Sequence, residues 1–547
     1  MTDPYARSLR PRWRRRGVQA FVSAALVAAL AACSPSSGGD PTATSGDGQT
    51  TGPTTEEGNN SPAAGSRDTL VIANGVAIDD LDPQVNSANE TIWLVQSIYS
   101  RLVQASEDGT EIEPDLAESW DISPDGLTYT FHLRDAQFAD GTPVTADDVV
   151  WSIERANAYE GGWGFLLEKP VKSITATDPK TVTFSLNLPH APLLADLALY
   201  AYGILPKAAV ESNPDFFNKP YGAGPFMVES MDPTTEVDMV VNPHWYGAKP
   251  NISNVKIKII TDDNARVLAL QAGDVDVIEN PPGNAMSQID SDPNLQATPF
   301  PSTRVDFMFM NNTDPILSDM RVRQAIQSAI DFDQMNQVAY QGTAVPGSSF
   351  MPYQMMFWNA SLGTPKRDLD KAKQLLSDAG HPGGGFSLSY VTVAGDAAGN
   401  AQALTVQQNL KDIGITVNIE AGDQTVTYGR ENQMDYQLGQ RYWTNDIIDP
   451  DQVTTFAVDV TASGSFHSQW DNAEAAKLVN DARSETDSAQ RQKAYERIQE
   501  IVYNEVPYIP LAYPPFRYAQ GKWVDGFRVS PLGNYNHSLL TLTVADH

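Results

Sequence analysis

One cysteine in 547 residues constrains this chain before any pattern is read. No disulfide can close within it, and no thiolate-rich zinc or iron–sulfur site can form. Whatever holds the fold together must therefore come from packing. Hydrophobic residues at 41% and aromatics at 9% suffice for a sizeable core and exclude global disorder. The length alone suggests about three or four domains. Acidic residues number 68 against 37 basic ones, for a net charge of −31. The first 32 residues hold six arginines and one aspartate, so the chain from residue 33 onward carries −36. Such a surface repels phosphate backbones and argues against a nucleic-acid partner.

The cysteine's position is as telling as its solitude. Arg7, Arg10, Arg12, Arg14, Arg15 and Arg16 precede an apolar run from Val18 to Ala32, about 15 residues where a membrane-spanning helix needs roughly 20. A basic head followed by a short apolar stretch and small residues reads as a secretory signal peptide over residues 1–32. Leu30-Ala31-Ala32-Cys33 resembles the bacterial lipobox, in which the cysteine is acylated and becomes the new N-terminus. Two or more acyl chains give stable anchoring. The paired arginines before Gly17 suit twin-arginine export, and a merely basic head suits the general route; the sequence leaves both open. Residues 33–67 are rich in Gly, Ser, Thr and Pro with no apolar period, and read as a disordered tether spanning roughly 30 Å. No later hydrophobic run is long enough to cross a bilayer, which places the remainder outside the cell, on the outer face of the cytoplasmic membrane.

From Thr69 onward strand and helix signals alternate. Thr69–Ala73, Leu127–Asp135, Thr181–Asn187 and Asn254–Ile260 carry the β-branched and aromatic alternation of strands. Helices are expected at Ala146–Ala158 behind a Thr145 cap, at Ser318–Ile330, at Asp368–Ala379 ended by Gly380, and at Asn472–Arg483 and Asp487–Asn504. The class is α/β without a fixed repeat. Gly383-Gly384-Gly385 follows a helix instead of opening one, so it is a loop and no phosphate cradle.

Enzymatic signatures are missing. The seven histidines form no His-x-x-x-His or His-Glu-x-x-His pair, so a helical zinc site is not expected. Gly-x-Ser-x-Gly, Walker A and Gly-x-Gly-x-x-Gly do not occur. Pairs such as Asp147-Asp148 and Asp262-Asp263 are what 68 carboxylates give by chance, and read as caps and turns. The expectation is a protein that is no enzyme and needs no cofactor or metal.

Residues 114–155, PDLAESWDISPDGLTYTFHLRDAQFADGTPVTADDVVWSIER, resemble the signature of the extracytoplasmic solute-binding proteins of peptide-type ABC transporters, the family 5 or oligopeptide/dipeptide-binding group. Ile78–Pro83, Gly222–Phe226, Asn242–Tyr246, Ala269–Asp276 and Asn311–Asp331 match further landmarks in the family's order, and the likeness runs from about 68 to 530. Gly222 and Gly224 themselves read as points of tight backbone approach. The resemblance implies an α/β, two-lobed periplasmic-binding-protein-like fold (type II, cluster C-like) with an extra inserted subdomain and a hinge. Lobe I is expected at 68–103, 220–307 and 508–547, the inserted subdomain of that lobe at 104–219, and lobe II at 308–507. Hinge crossings are expected in Val305–Asn311 and Val506–Leu511.

Tyr442–Asp451 resembles the ligand-contacting loop of dipeptide binders, Trp-x-x-Asp-x-x-Asp-Pro. By that resemblance Asp446 accepts the α-amine of a peptide, backbone groups around Tyr442–Thr444 pair with the ligand as an added strand, and Trp443 flanks it. Arg441 is the nearest cation for the peptide carboxylate, one place from the family position at Gln440, with Arg304 and Arg430 as other candidates. Ile447 and Ile448 make the loop more apolar than the Asn/Gly of the pattern. The implied role is a receptor that captures a small solute, above all a di- or oligopeptide, closes on it, and delivers it to a membrane permease with its ATPases. Relatives in the family bind nickel chelates, haem, oligosaccharides or opines, so a non-peptide solute is the alternative; a cell-surface hydrolase and a chaperone-like lipoprotein are remote ones. Transport receptors dock singly, so a monomer is expected.

Overall fold

A computed structural model describes residues 66–547 except 79, 86, 87 and 161. The signal peptide, the lipobox with Cys33 and the tether up to residue 65 lie outside the described residues. Ser66 and Arg67, expected to end the tether, pair instead with Ala545 and Val544 as a short strand.

Two large sheets organise the chain. The first runs, in spatial order, Leu295–Phe300, Phe516–Gly521, Val277–Glu279, Thr69–Asn74, Asn254–Ile259, Glu236–Val241 and Phe226–Asp232. Its middle strands are parallel and its margins antiparallel. The second runs Val345–Pro346, Tyr508–Tyr513, Arg304–Met310, Leu438–Thr444, Ser387–Val393 and Thr416–Gly422. A four-stranded antiparallel sheet, built from Ala117–Ile122, Thr128–Leu133, Thr181–Leu186 and Val171–Asp178, shares the hydrophobic core of the first. The expected strands therefore form, within a residue or two at each end.

Capping chemistry explains the helix boundaries. Thr145 and Asp148 bond reciprocally across the first turn of Ala146–Ala158. Asp319, Asn472 and Asp487 cap the helices Met320–Ala329, Ala473–Ser484 and Ser488–Glu505 through their side chains. Gly380, with φ of 89°, ends Leu369–Asp378. Gly383–Gly385 is a loop, as expected.

The chain passes between the two large sheets twice, at Pro301-Ser302-Thr303 and at Pro514-Pro515. These crossings fall just outside the segments where the hinge is expected. Val305–Met310 and Tyr508–Leu511 lie side by side as interior strands of the second sheet, with Asp306 opposite Ala512 and Met308 opposite Ile509. A paired interior strand cannot absorb a large dihedral change without breaking its ladder, whereas the unpaired connectors can. The two connectors are tied together: the Ser302 hydroxyl donates to the Pro514 carbonyl at 2.5 Å.

Gly222 and Gly224 lie against the end of helix Asn89–Ile98. A Cβ on Gly222 would sit 2.4 Å from the Ile98 carbonyl oxygen, and one on Gly224 would sit 2.6 Å from that of Ser97. Both neighbours are backbone and cannot swing aside. Gly224→Ala should therefore lower unfolding free energy by about 1–3 kcal/mol, read as a reduced urea midpoint at unchanged slope; an unchanged midpoint would mean the two backbones separate freely.

Candidate functional site

The strand Leu438–Thr444 delivers the loop that the sequence singles out. Its antiparallel partner Arg304–Met310 accompanies it to Thr444, whereas the parallel partner Ser387–Val393 pairs only with Leu438 and Gly439. One edge of residues 440–444 thus has no strand beside it among the described residues, which is the geometry an added strand requires.

After Thr444 the backbone turns under local control. Asn445, fully buried, donates from its side chain to the Ile447 and Asp449 carbonyls at 2.6 and 3.3 Å. The Thr303 hydroxyl donates to the Asn445 carbonyl at 2.8 Å, so the loop is bonded to one of the connectors between the sheets. Three aspartates follow, and their surroundings differ. Arg491 grips Asp449 with two nitrogens at 2.8 and 2.9 Å, and Arg483 Nε lies 2.8 and 3.0 Å from the two oxygens of Asp451. Asp446 has no arginine beside it among the described residues. Gln452 accepts from its backbone N–H at 2.8 Å and donates to Oδ2 at 3.2 Å. Burial pushes the Asp446 carboxyl up to about 7, against the weaker pull of the Gln452 amide.

Asp446 lines a narrow, mostly enclosed cleft whose cavity measures about 10 Å³, so the halves stand close together here. Gln96, Arg101, Asn534 and Asn536 line it from the half containing the first sheet, and Ala198 from the inserted region. Ile447 and Ile448, 1% and 7% exposed, border the cleft and also pack in the core of that first half. The apolar departure in the loop is thus a seam between the halves. A second seam is aromatic: Phe456 lies 4.0 Å from Trp443 and 6.3 and 6.0 Å from Trp163 and Phe165. A third is polar, with the Ala191 N–H donating to the Arg483 carbonyl at 2.7 Å.

The other expected site residues are placed as follows. Tyr442 is half exposed, with the Arg304 guanidinium 4.0 Å from its ring centre. Trp443 packs on Phe456, its Nε1 reaching Asn445 Oδ1 at 3.5 Å. The Thr444 hydroxyl is buried without a hydrogen-bond partner among the described residues. Arg441 is turned away from the task expected of it. Its Nε lies 2.9 Å from Glu431 Oε2, and its guanidinium covers the Tyr428 ring at 3.3 Å. Arg304 is engaged by Asp306 at 2.6 and 3.2 Å, and Arg430 by Glu420 and Asp435 at 2.6 and 3.0 Å. The residue that spacing did not reveal is Arg101: it lies more than 300 positions from the loop, and only the tertiary fold brings it to the same cleft. Among the described residues no three His, Cys, Asp or Glu side chains are grouped to hold a metal ion, and no helix is long and apolar enough to cross a membrane.

Two large sheets joined by paired connectors, an inserted subdomain and a cleft between the halves define a two-lobed binding protein. Residues 111–465 match the model of the bacterial extracellular solute-binding proteins, family 5, and the chain belongs to that family. It is 31% identical over 483 residues to the "Probable D,D-dipeptide-binding periplasmic protein" of Escherichia coli, covering 86% of this chain and 93% of that one. It is 28% identical to heme-binding protein A of Haemophilus influenzae, over 80% and 85% of the two chains. Among solved structures, the Helicobacter pylori periplasmic binding protein in complex with peptide STSA superposes with a TM-score of 0.77 at 29% identity, covering 88% of this chain and 99% of that one.

The raised Asp446 carboxyl has a thermodynamic consequence. Between about pH 4 and 7 the folded chain keeps a proton there that the unfolded chain has released, so stability without ligand falls as pH rises through that window and levels above it. Asp446→Asn should match the parent's melting temperature near pH 4 and exceed it increasingly up to pH 7, with a constant gain beyond. A difference independent of pH would show that this carboxyl is not the one desolvated.

Proposed function

We propose that this receptor captures a di- or oligopeptide through its free ammonium group, closes on it, and hands it unaltered to a membrane permease. The observation that carries the reading is the contrast among three loop aspartates: two are neutralised by arginine, while the one facing the cleft is not. A carboxylate desolvated without a cation opposes closure, and one paired with an ammonium favours it. Closure thereby becomes conditional on the guest, which is differential affinity for one conformation. The unpaired strand edge at 440–444 suits a ligand that itself has a peptide backbone.

In this reading lobe I comprises 68–103, 220–300 and 516–547, the inserted subdomain 104–219, and lobe II 304–513, with the connectors at 301–303 and 514–515 as the hinge. The protein performs no chemistry, works as a monomer, and is held at the outer face of the membrane by acylated Cys33 and the tether that follows. The occupied state of Arg304, Arg430 and Arg441 favours a second reading, a cationic solute without a carboxylate.

Thermal shift separates these. At 100 times the dissociation constant, a ligand of the native state adds about 2.7 kcal/mol. Free dipeptides should raise the melting temperature of the parent, N-acetylated dipeptides should not, and Asp446→Ala should lose most of the effect. Equal shifts from free and acetylated peptides would defeat the ammonium anchor; response to amines lacking a carboxylate, but to no peptide, would support the second reading. For the anchor, Cys33→Ser should move the protein from the membrane pellet to the soluble fraction, and retention in the pellet would count against acylation.

A further inference from the structure

Arg101 is 5% exposed and lines the same cleft as Asp446 from the opposite half. Its guanidinium has neither a hydrogen bond nor an ion pair among the described residues, and its Nε is fully enclosed without a partner. The carboxylate near it does not serve it. Asp115 Oδ2 accepts from the backbone N–H of Arg101 at 2.8 Å, and Oδ1 accepts from the Tyr246 hydroxyl. Asp115 offsets part of the charge at a distance, and no acceptor among the described residues meets the guanidinium, whose Nε is fully enclosed.

Other deeply buried arginines are treated differently. Arg323, equally enclosed, donates to the Val506, Leu317, Ser318 and Glu505 carbonyls at 2.9–3.1 Å; Arg266, whose Nε is likewise unpartnered, still donates from its terminal nitrogens to the Ile260 carbonyl at 2.7 Å and to Asp263 at 2.6 Å. A guanidinium removed from water without acceptors is costly unless something arriving in the cleft supplies them. A carboxylate matches its planar fork. Of the neighbours in that wall, Asn536 and His537 are already occupied, by the Ser97 hydroxyl at 3.0 Å and the Ala105 carbonyl at 3.1 Å.

Resting on the reading of Asp446 as the ammonium anchor, we infer that Arg101 receives the carboxylate of the same guest, so that the receptor selects zwitterions whose two ends bridge the halves. The cation sought near the loop is thus supplied from the other lobe. Specificity of this kind acts on closure itself, because each pole belongs to a different half.

The test is calorimetric titration of the purified full chain with a panel of dipeptides as free acids and as C-terminal amides. For the parent, amidation should weaken binding on the order of 10- to 100-fold. In Arg101→Gln the acid should fall to the affinity of the amide, so that the gap closes to within about threefold. Arg101→Lys, which keeps charge without the fork, should restore part of the gap and guards against a mere loss of fold. Parent binding of acid and amide alike, with the N-acetyl penalty intact, would overturn the role of Arg101 and leave the ammonium anchor standing. An unchanged gap in a folded Arg101→Gln would do the same. Failure of every dipeptide, free or blocked, to bind the parent would overturn both.

Discussion

Asp446 meets the cleft with the Gln452 amide bonded to it and the Tyr200 hydroxyl within electrostatic reach, while three and five positions later the chain closes Asp449 and Asp451 with arginines. All three belong to one turn of backbone, so their different fates are set by side chains arriving from elsewhere. Arg483 and Arg491 come from the two long C-terminal helices and bond the loop's aspartates; no cation arrives at Asp446 among the described residues. An isolated carboxylate in a desolvated place gives up its proton reluctantly. The loop is rigid where it is paired and responsive where it is not, and the rest of the lobe arrangement acts through that difference.

The connection from loop to hinge is short. Thr303 lies in one connector and donates to the loop at Asn445 and, at 3.1 Å, to the Pro531 carbonyl. Ser302, next to it, binds the other connector. The loop is therefore bonded directly to the segments that join the two sheets, without an intervening core residue. The adjacent connectors hold three of their five positions as proline, which restricts the pivot to few dihedrals.

Much of the fold was legible because its signals are local. The capping threonine and aspartates, the left-handed Gly380 and the alternation in Thr128–Leu133 each depend on neighbours within a few residues. The crossings between the sheets are not legible in the sequence, because an apolar extended segment looks the same whether it crosses between sheets or runs inside one; only strand order distinguishes them. Asp446 stood out through the motif around it. Proximity in sequence favours Arg441, yet alternation along the strand points it at Glu431. Arg101 carried no local mark, since a satisfied arginine and an unsatisfied one read alike, and the difference lies in what Asp115 has already bound.

Ile447 and Ile448 are covalently part of one half and packed in the core of the other. Parting the halves would strip both bare, and each large aliphatic side chain contributes about 1.5–3 kcal/mol when fully buried. The empty receptor thus has a latch of its own, set against the electrostatic reluctance of its bare carboxylate. How often the unoccupied protein shuts is decided by that balance, and two aliphatic side chains at the border of the cleft serve as its set-point.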